Sequence, residues 1–330
     1  MASLVLDPRL AGSFTISPAS STHLAEVYHL TVAEMSAVLG YCSDTEEDVR
    51  SWLEPPSEAS SAQGLVRDNA GALAQWWGVI RAPGDPRFQM WVRTDPAVSE
   101  ADGDELTRAA WKALLASVRD IAGTDRTDDV LVHSGCVAGD EPALRRLLEA
   151  GFVHERTFWE MRGPVPEQPP AATPVEGLTL RPTKDQAAVH QVINEGFAEH
   201  WAFEPSTFDD WLVLELAAAG YDAELWFLAE IDGSPAAAMV LSRRSAADRG
   251  LYVQEIATLK TYRHRGIASS LLRHAFDVAR SEGYDHVVLH VDSDNTDRAS
   301  EVYRRAGLDV RHAFNACVLR LAPLGPTDPS

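Results

Sequence analysis

The sequence predicts a mixed α/β fold in two similar halves, and three observations carry that reading. Short apolar segments of strand length alternate with segments of helical period, the order expected of a mixed sheet with helices on both faces. The same opening and closing motifs occur twice. Between the two copies lies Gly163 to Pro174, with five prolines in twelve residues, a stiff and extended stretch. The expected division is a first domain over 1–163, a linker over 164–174 and a second domain over 175–330.

Each copy opens on a strand, Phe14–Pro18 in the first and Leu178–Pro182 in the second. A helical stretch follows, then a tryptophan motif, Asp48-Val-Arg-Ser-Trp52-Leu against Asp209-Asp210-Trp211-Leu. The copies close on Leu147-Leu-Glu-Ala-Gly-Phe152 and Tyr303-Arg-Arg-Ala-Gly-Leu308. A repeat of this length means tandem domains and not a solenoid. In the first copy Leu106–Ile121 reads as an amphipathic helix and Val130–His133 as a strand. In the second, Gln186–Phe197 reads as a helix, and Trp226–Ile231 and Ala236–Leu241 as strands around the turn Asp232-Gly233. Leu251–Leu259 reads as a strand leading into a helix that carries Ile267, Leu271, Leu272, Ala275 and Phe276 on one face, with Gly283 as its left-handed cap. Val287–Val291 is a short buried strand and Arg298–Ala306 a short helix.

Composition narrows the partners. The chain has 330 residues, 45% of them hydrophobic and 24% charged, which is ordinary for a soluble globular protein. Its formal net charge of −20 disfavours nucleic acid or an anionic membrane as partner. No apolar run approaches a membrane span, and the N-terminus lacks the pattern of a secretory signal, so a cytoplasmic location is expected. Cys42, Cys136 and Cys317 are few and widely spaced, and indicate neither a disulfide framework nor a metal site.

Against that acidic background, Ile256 to Phe276 contains no Asp or Glu. At its centre stands Arg263-His264-Arg265-Gly266-Ile267-Ala268-Ser269, between a strand and a helix. Glycine there lets the backbone approach a ligand closely, and the free N–H groups of the first helical turn suit a phosphate. The equivalent loop of the first copy instead holds Asp95, Glu100, Asp102, Asp104 and Glu105, which would repel one.

Arg263, Gly266 and Ala268 fit the Arg/Gln-x-x-Gly-x-Gly/Ala pyrophosphate signature, and the segment from His286 to Leu308, a strand, Asn295 and a helix with Tyr303, follows in the right order. In these features the second copy resembles the GCN5-related N-acetyltransferases (GNAT). The resemblance implies two tandem GNAT-like domains, each a sheet splayed between its fourth and fifth strands, and acetyl-CoA as co-substrate with no metal. It also implies a bulge around Ile256, Ala257, Thr258 and Leu259 that exposes backbone to the coenzyme, with Asn295 facing the coenzyme or capping the next helix. Tyr303 is placed near the coenzyme sulfur, as the acid for the leaving thiolate. Two residues compete for the base: Glu255, where family members often carry an acid, and His290 on the facing strand. Glu199, His200 and Trp201 follow the first helix, where the acceptor usually binds. Leu147 stands where the first copy would need a phenol, so that copy is expected to be silent. The activity implied is direct transfer of an acetyl group to a primary amine of a small molecule. Acetylation of the cysteinyl amine of a sugar-linked thiol, an antibiotic or protein amine acetyltransferase, and a non-catalytic acyl-CoA-binding sensor or assembly subunit are the alternatives.

Overall fold

The computed structural model describes residues 10–82, 87–123, 129–167, 173–200, 203–218, 220–294 and 299–322. The chain forms two compact units, Met1–Thr157 with Ala313–Ser330, and Phe158–His312.

The first unit contains β1 (Phe14–Pro18), α1 (Leu24–Leu39), α2 (Glu46–Leu53), β2 (Ser60–Asp68), β3 (Leu73–Arg81), β4 (Phe88–Thr94), α3 (Glu100–Ala122), β5 (Val130–Val137), α4 (Glu141–Glu149) and the start of β6 (Val153–Pro164). Strands β1 to β4 form an antiparallel meander. Among the described residues β4 then meets β5 in parallel through Phe88↔Val132 and Gln89↔His133 alone.

The second unit contains the rest of β6, then β7 (Leu178–Pro182), α5 (Gln186–Gly196), α6 (Phe208–Ala217), β8 (Trp226–Ile231), β9 (Ser234–Ser242), β10 (Gly250–Thr258), α7 (Ile267–Ser281), β11 (His286–Asp292), α8 (Ala299–Arg305) and the start of β12 (Asp309–Leu321). The β8–β9 hairpin turns on Asp232 and Gly233, both at positive φ (50° and 81°), the backbone a tight two-residue turn requires. Gly283, with φ 77°, closes α7 as a left-handed cap.

The expected border at 163/164 differs from this division. β6 is 12 residues long and β12 is 13, and each serves both units. Phe158–Pro164 pair antiparallel with β11, while Phe314–Leu321 pair with β5. A fifth strand reached by a parallel crossover leaves one row of N–H and C=O groups unpaired unless an antiparallel neighbour takes them. The two halves exchange those neighbours. The flanks of the proline-rich stretch are also held: Val165 donates its N–H to Asp285 and the Arg280 guanidinium donates to the Pro166 carbonyl. Residues 168–172 of the linker lie outside the described residues.

Two cores flank the sheet of the second unit. On one face Leu251, Val253, Leu271, Leu272, Phe276, Val287 and Leu289 pack around α7. On the other, α5 and α6 bury Val189, Ile193 and Trp211 against Trp226, Leu228 and Ala257. Among the described residues no helix is long and apolar enough to cross a membrane. No group of His, Cys, Asp and Glu among them could hold a metal ion.

Candidate active site

β10 and β11 are parallel partners only at Gly250↔His286, Leu251↔Val287 and Tyr252↔Val288. Beyond Tyr252 they part, although β10 runs on to Thr258 and β11 to Asp292. The sheet is thus open between its fourth and fifth strands, and groups beyond the split reach both faces.

The bulge sits earlier than the expected Ile256–Leu259. β10 shifts register against β9 between Val253 and Glu255, so Gln254 is the extra residue. Side chains along a strand alternate between faces. Leu251 and Val253 belong to the α7 core, and strict alternation would send Glu255 after them. The bulge resets the alternation and turns Glu255 to the α6 side. There it meets Glu215 and Trp211 of α6, and burial with the Glu215 charge pushes its carboxyl up to about 8. Burial raises Glu215 as well, and Gln254 donates to it at 2.9 Å. Ile256 returns to the α7 side, Ala257 to the α5 side, and Thr258 and Leu259 continue the bonding to β9 at Ala237 and Ala236.

The same face carries His290. Its neighbours Leu289 and Val291 face α7, so His290 points the other way, with its side chain 33% exposed. Its Nδ1 lies 3.0 Å from the Tyr252 hydroxyl. Tyr303 is on the opposite, α7 side of the sheet, 9% exposed in that core. Burial raises its phenol to about 12, so it stays protonated at neutral pH and can give a proton.

Next to the split, Lys260–Tyr262 form a short 3₁₀ turn and the chain enters α7 through His264 and Gly266, both at positive φ (63° and 84°). A left-handed histidine is uncommon and directs attention to this loop. Gly266 is the N-cap of α7 and no side chain caps the helix, so the N–H groups of Ile267, Ala268 and Ser269 face out as an anion site would need. Among the described residues a Cβ at Gly266 would touch only Val175, at 3.5 Å.

Arg263 is engaged within the protein. Its guanidinium donates to the Thr258 and Gly196 carbonyls and pairs with Glu199 at 3.1 Å, tying the end of β10 to the end of α5. Arg265 instead lies over the Tyr262 ring, 5.6 Å from its centroid. Glu199 also pairs with Lys260 at 2.5 Å, and that contact, ahead of Arg263, lowers its pKa. Glu199 thus braces the loop through both cations. His200 lies against Phe197, ring centroids 4.6 Å apart. Trp201 and Asn295 lie outside the described residues.

The first unit repeats the split but not the loop. Its α3 is capped by the Ser99 hydroxyl, which accepts from Asp102 N–H. Asp104 is clamped by Arg145 and Arg146. Its β4 keeps register with β3 without a bulge, and Leu147 is buried at the place of Tyr303.

Residues 187–308 match the family model of the acetyltransferase (GNAT) family. Over those residues the second half of this chain is similar to a GNAT domain. A mycothiol acetyltransferase from Thermobispora bispora is 30% identical over 177 residues, 51% of this chain and 59% of that protein. The chain therefore aligns with less than two thirds of that relative's length. Among solved structures, a GCN5-related N-acetyltransferase from Sphaerobacter thermophilus superposes with a TM-score of 0.78 over 97% of this chain and 98% of its own, at 24% identity. A tandem GNAT protein from the clavulanic acid biosynthesis pathway gives 0.68 over 96% and 100%, at 14% identity. These two show the fold, a tandem GNAT architecture over nearly the whole chain. Tyr252 and Glu160 stand beside His290, and Glu215 beside Glu255, and the sequence alone does not single them out. Glu215 carries one signal, a lone acid among the apolar residues Trp211–Leu216; Tyr252 and Glu160 carry none, because their facing depends on register.

Proposed function

We propose that the chain is an acetyl-CoA-dependent N-acetyltransferase acting on a primary amine of a small molecule by direct transfer. The observation that carries this reading is the open β10–β11 split, with a raised carboxyl on one face and a protonated phenol on the other, beside an uncapped helix N-terminus. Acetyl-CoA would supply the activated acyl group, its pyrophosphate held by Gly266, Ile267, Ala268 and Ser269.

An amine attacks only as the free base, and an unperturbed alkyl amine holds its proton to a pKa of about 10.4. Glu255 takes that proton; a carboxyl poised near neutrality is a better base than an ordinary one. Tyr303 delivers a proton to the departing sulfur. Arg263 holds the loop. The first unit is silent in this reading, because its loop is acidic and capped and it has no phenol.

The mycothiol relative makes the cysteinyl amine of a sugar-linked thiol the first acceptor to try. The experiment is thiol release from acetyl-CoA against a panel of amines: S-methylcysteinamide, glucosamine, an aminoglycoside and a lysyl peptide. Tyr303→Phe is expected to lower kcat while coenzyme affinity holds, the mark of an interaction made in the transition state. No release with any amine by a chain that binds acetyl-CoA would favour a sensor.

A further inference from the structure

The face of the sheet that carries Glu255 holds a second set of titratable groups. His290 and Glu160 are direct cross-strand neighbours on β11 and β6. His290 Nε2 lies 3.7 Å from Glu160 Oε2, and His312 Nε2 lies 3.5 Å from the same oxygen. Arg162 approaches the other Glu160 oxygen at 3.6 Å and pairs with Asp248. The Glu160 side chain is only 4% exposed, whereas that of His290 is 33% exposed. On its other side His290 meets the Tyr252 hydroxyl, and Arg244 lies over the Tyr252 ring at 4.9 Å. The groups around the imidazole are thus Tyr252 from β10, Glu160 and Arg162 from β6, His312 from β12 and Arg244 from the turn after β9.

Resting on the acetyltransferase reading, proton counting gives this set work. An acceptor ammonium has three N–H bonds and the amide product has one. Two protons must leave the nitrogen as the N–C bond forms and the C–S bond breaks. Glu255 takes the first; protonated, it cannot take the second. We propose that Tyr252 and His290, with Glu160 as positioning residue, form a second proton outlet for the acceptor nitrogen. The Tyr252 oxygen accepts the N–H proton of the tetrahedral adduct as its own hydrogen passes to His290 Nδ1. The resulting imidazolium keeps its Nε2 hydrogen opposite Glu160 and, once product has left, returns its Nδ1 proton to Tyr252 as the Tyr252 hydroxyl gives its own to water entering the split. Of the two protons removed, one restores Tyr303 after it has protonated the sulfur, and one goes to solvent.

Glu160 fixes the direction of this path. A carboxylate beside Nε2 favours the tautomer with hydrogen on Nε2, which leaves Nδ1 free to accept from Tyr252. Burial first, then Arg244 and His312, lower the imidazole to about 4. His290 is therefore neutral before the reaction.

The test uses the full chain labelled with ¹⁵N-histidine, with His290→Gln to assign the resonances. The wild type is expected to show His290 as the Nε2–H tautomer at pH 7, and Glu160→Gln to lose that preference. With methylamine as acceptor probe, Tyr252→Phe and Glu160→Gln are each expected to lower kcat about 100-fold, the lower range of general acid–base assistance, and Glu160→Asp to recover part of it. Calorimetry should give the same acetyl-CoA Kd within about twofold, because a proton path lost at the chemical step leaves ground-state binding intact. An Nδ1–H tautomer in the wild type, or wild-type kcat in Tyr252→Phe, would overturn the outlet. Failure of the wild type to bind acetyl-CoA would instead overturn the acetyltransferase reading.

Discussion

Glu255→Gln tests the central electrostatic feature of the site without any knowledge of the acceptor. The folded protein pushes this carboxyl from 4.5 to about 8, through burial first and the Glu215 charge second. A carboxyl raised on folding favours the protonated fold, so its contribution is complete below about pH 4.5 and is lost as pH climbs through about 8. At about 1.4 kcal/mol for each pH unit of that span, the full loss is about 5 kcal/mol, an upper limit. The side chain keeps some contact with solvent, which screens its charge, and about 2–3 kcal/mol is the expected effect. Glu215 titrates with it as a pair, so the transition should be broad. Glutamine keeps the shape and removes the charge. Urea unfolding of both proteins at pH 5, 7 and 9 should show the variant gaining on the wild type as pH rises. A difference that stays constant from pH 5 to 9 would refute a raised Glu255 carboxyl, and with it the assignment of Glu255 as a base working near neutrality.

Three further outcomes follow from the geometry. Gly266→Asp puts a side chain at φ 84° and a carboxylate at the α7 N-terminus, and should remove measurable coenzyme A binding in calorimetry; unchanged affinity would remove the phosphate site from this loop. Gly163→Ala would bring a Cβ to 2.6 Å from the Gly307 carbonyl oxygen and 2.9 Å from the Phe276 ring. It should cost about 1–3 kcal/mol, visible as a lower Tm, and an unchanged Tm would contradict that contact. Expressed separately, 1–165 would lack the strand over Phe314–Leu321 and 166–330 the strand over Phe158–Pro164. Neither should unfold cooperatively, and a cooperative melt of either would speak against the strand exchange.

Much of this protein was legible in the sequence. Apolar period located α7 and its core residues Ile267, Leu271 and Phe276, and turn chemistry located the Asp232-Gly233 hairpin. These are local properties, determined by residues a few positions apart. The glycine at the entry to α7 and the absence of acids around it were equally local. The tertiary structure decided three other things. It engaged Arg263 with two backbone carbonyls and Glu199, contacts made with residues more than sixty positions away in the chain, except for Thr258. It exchanged β6 and β12, because a sheet edge is satisfied by whichever strand lies beside it and no run of sequence encodes that choice. It also turned Glu255 to the α6 face through one extra residue at Gln254. Alternation read along the strand sends Glu255 into the α7 core. Only pairing with β9 fixes the register, and a shift of one residue reverses the face of every side chain beyond it.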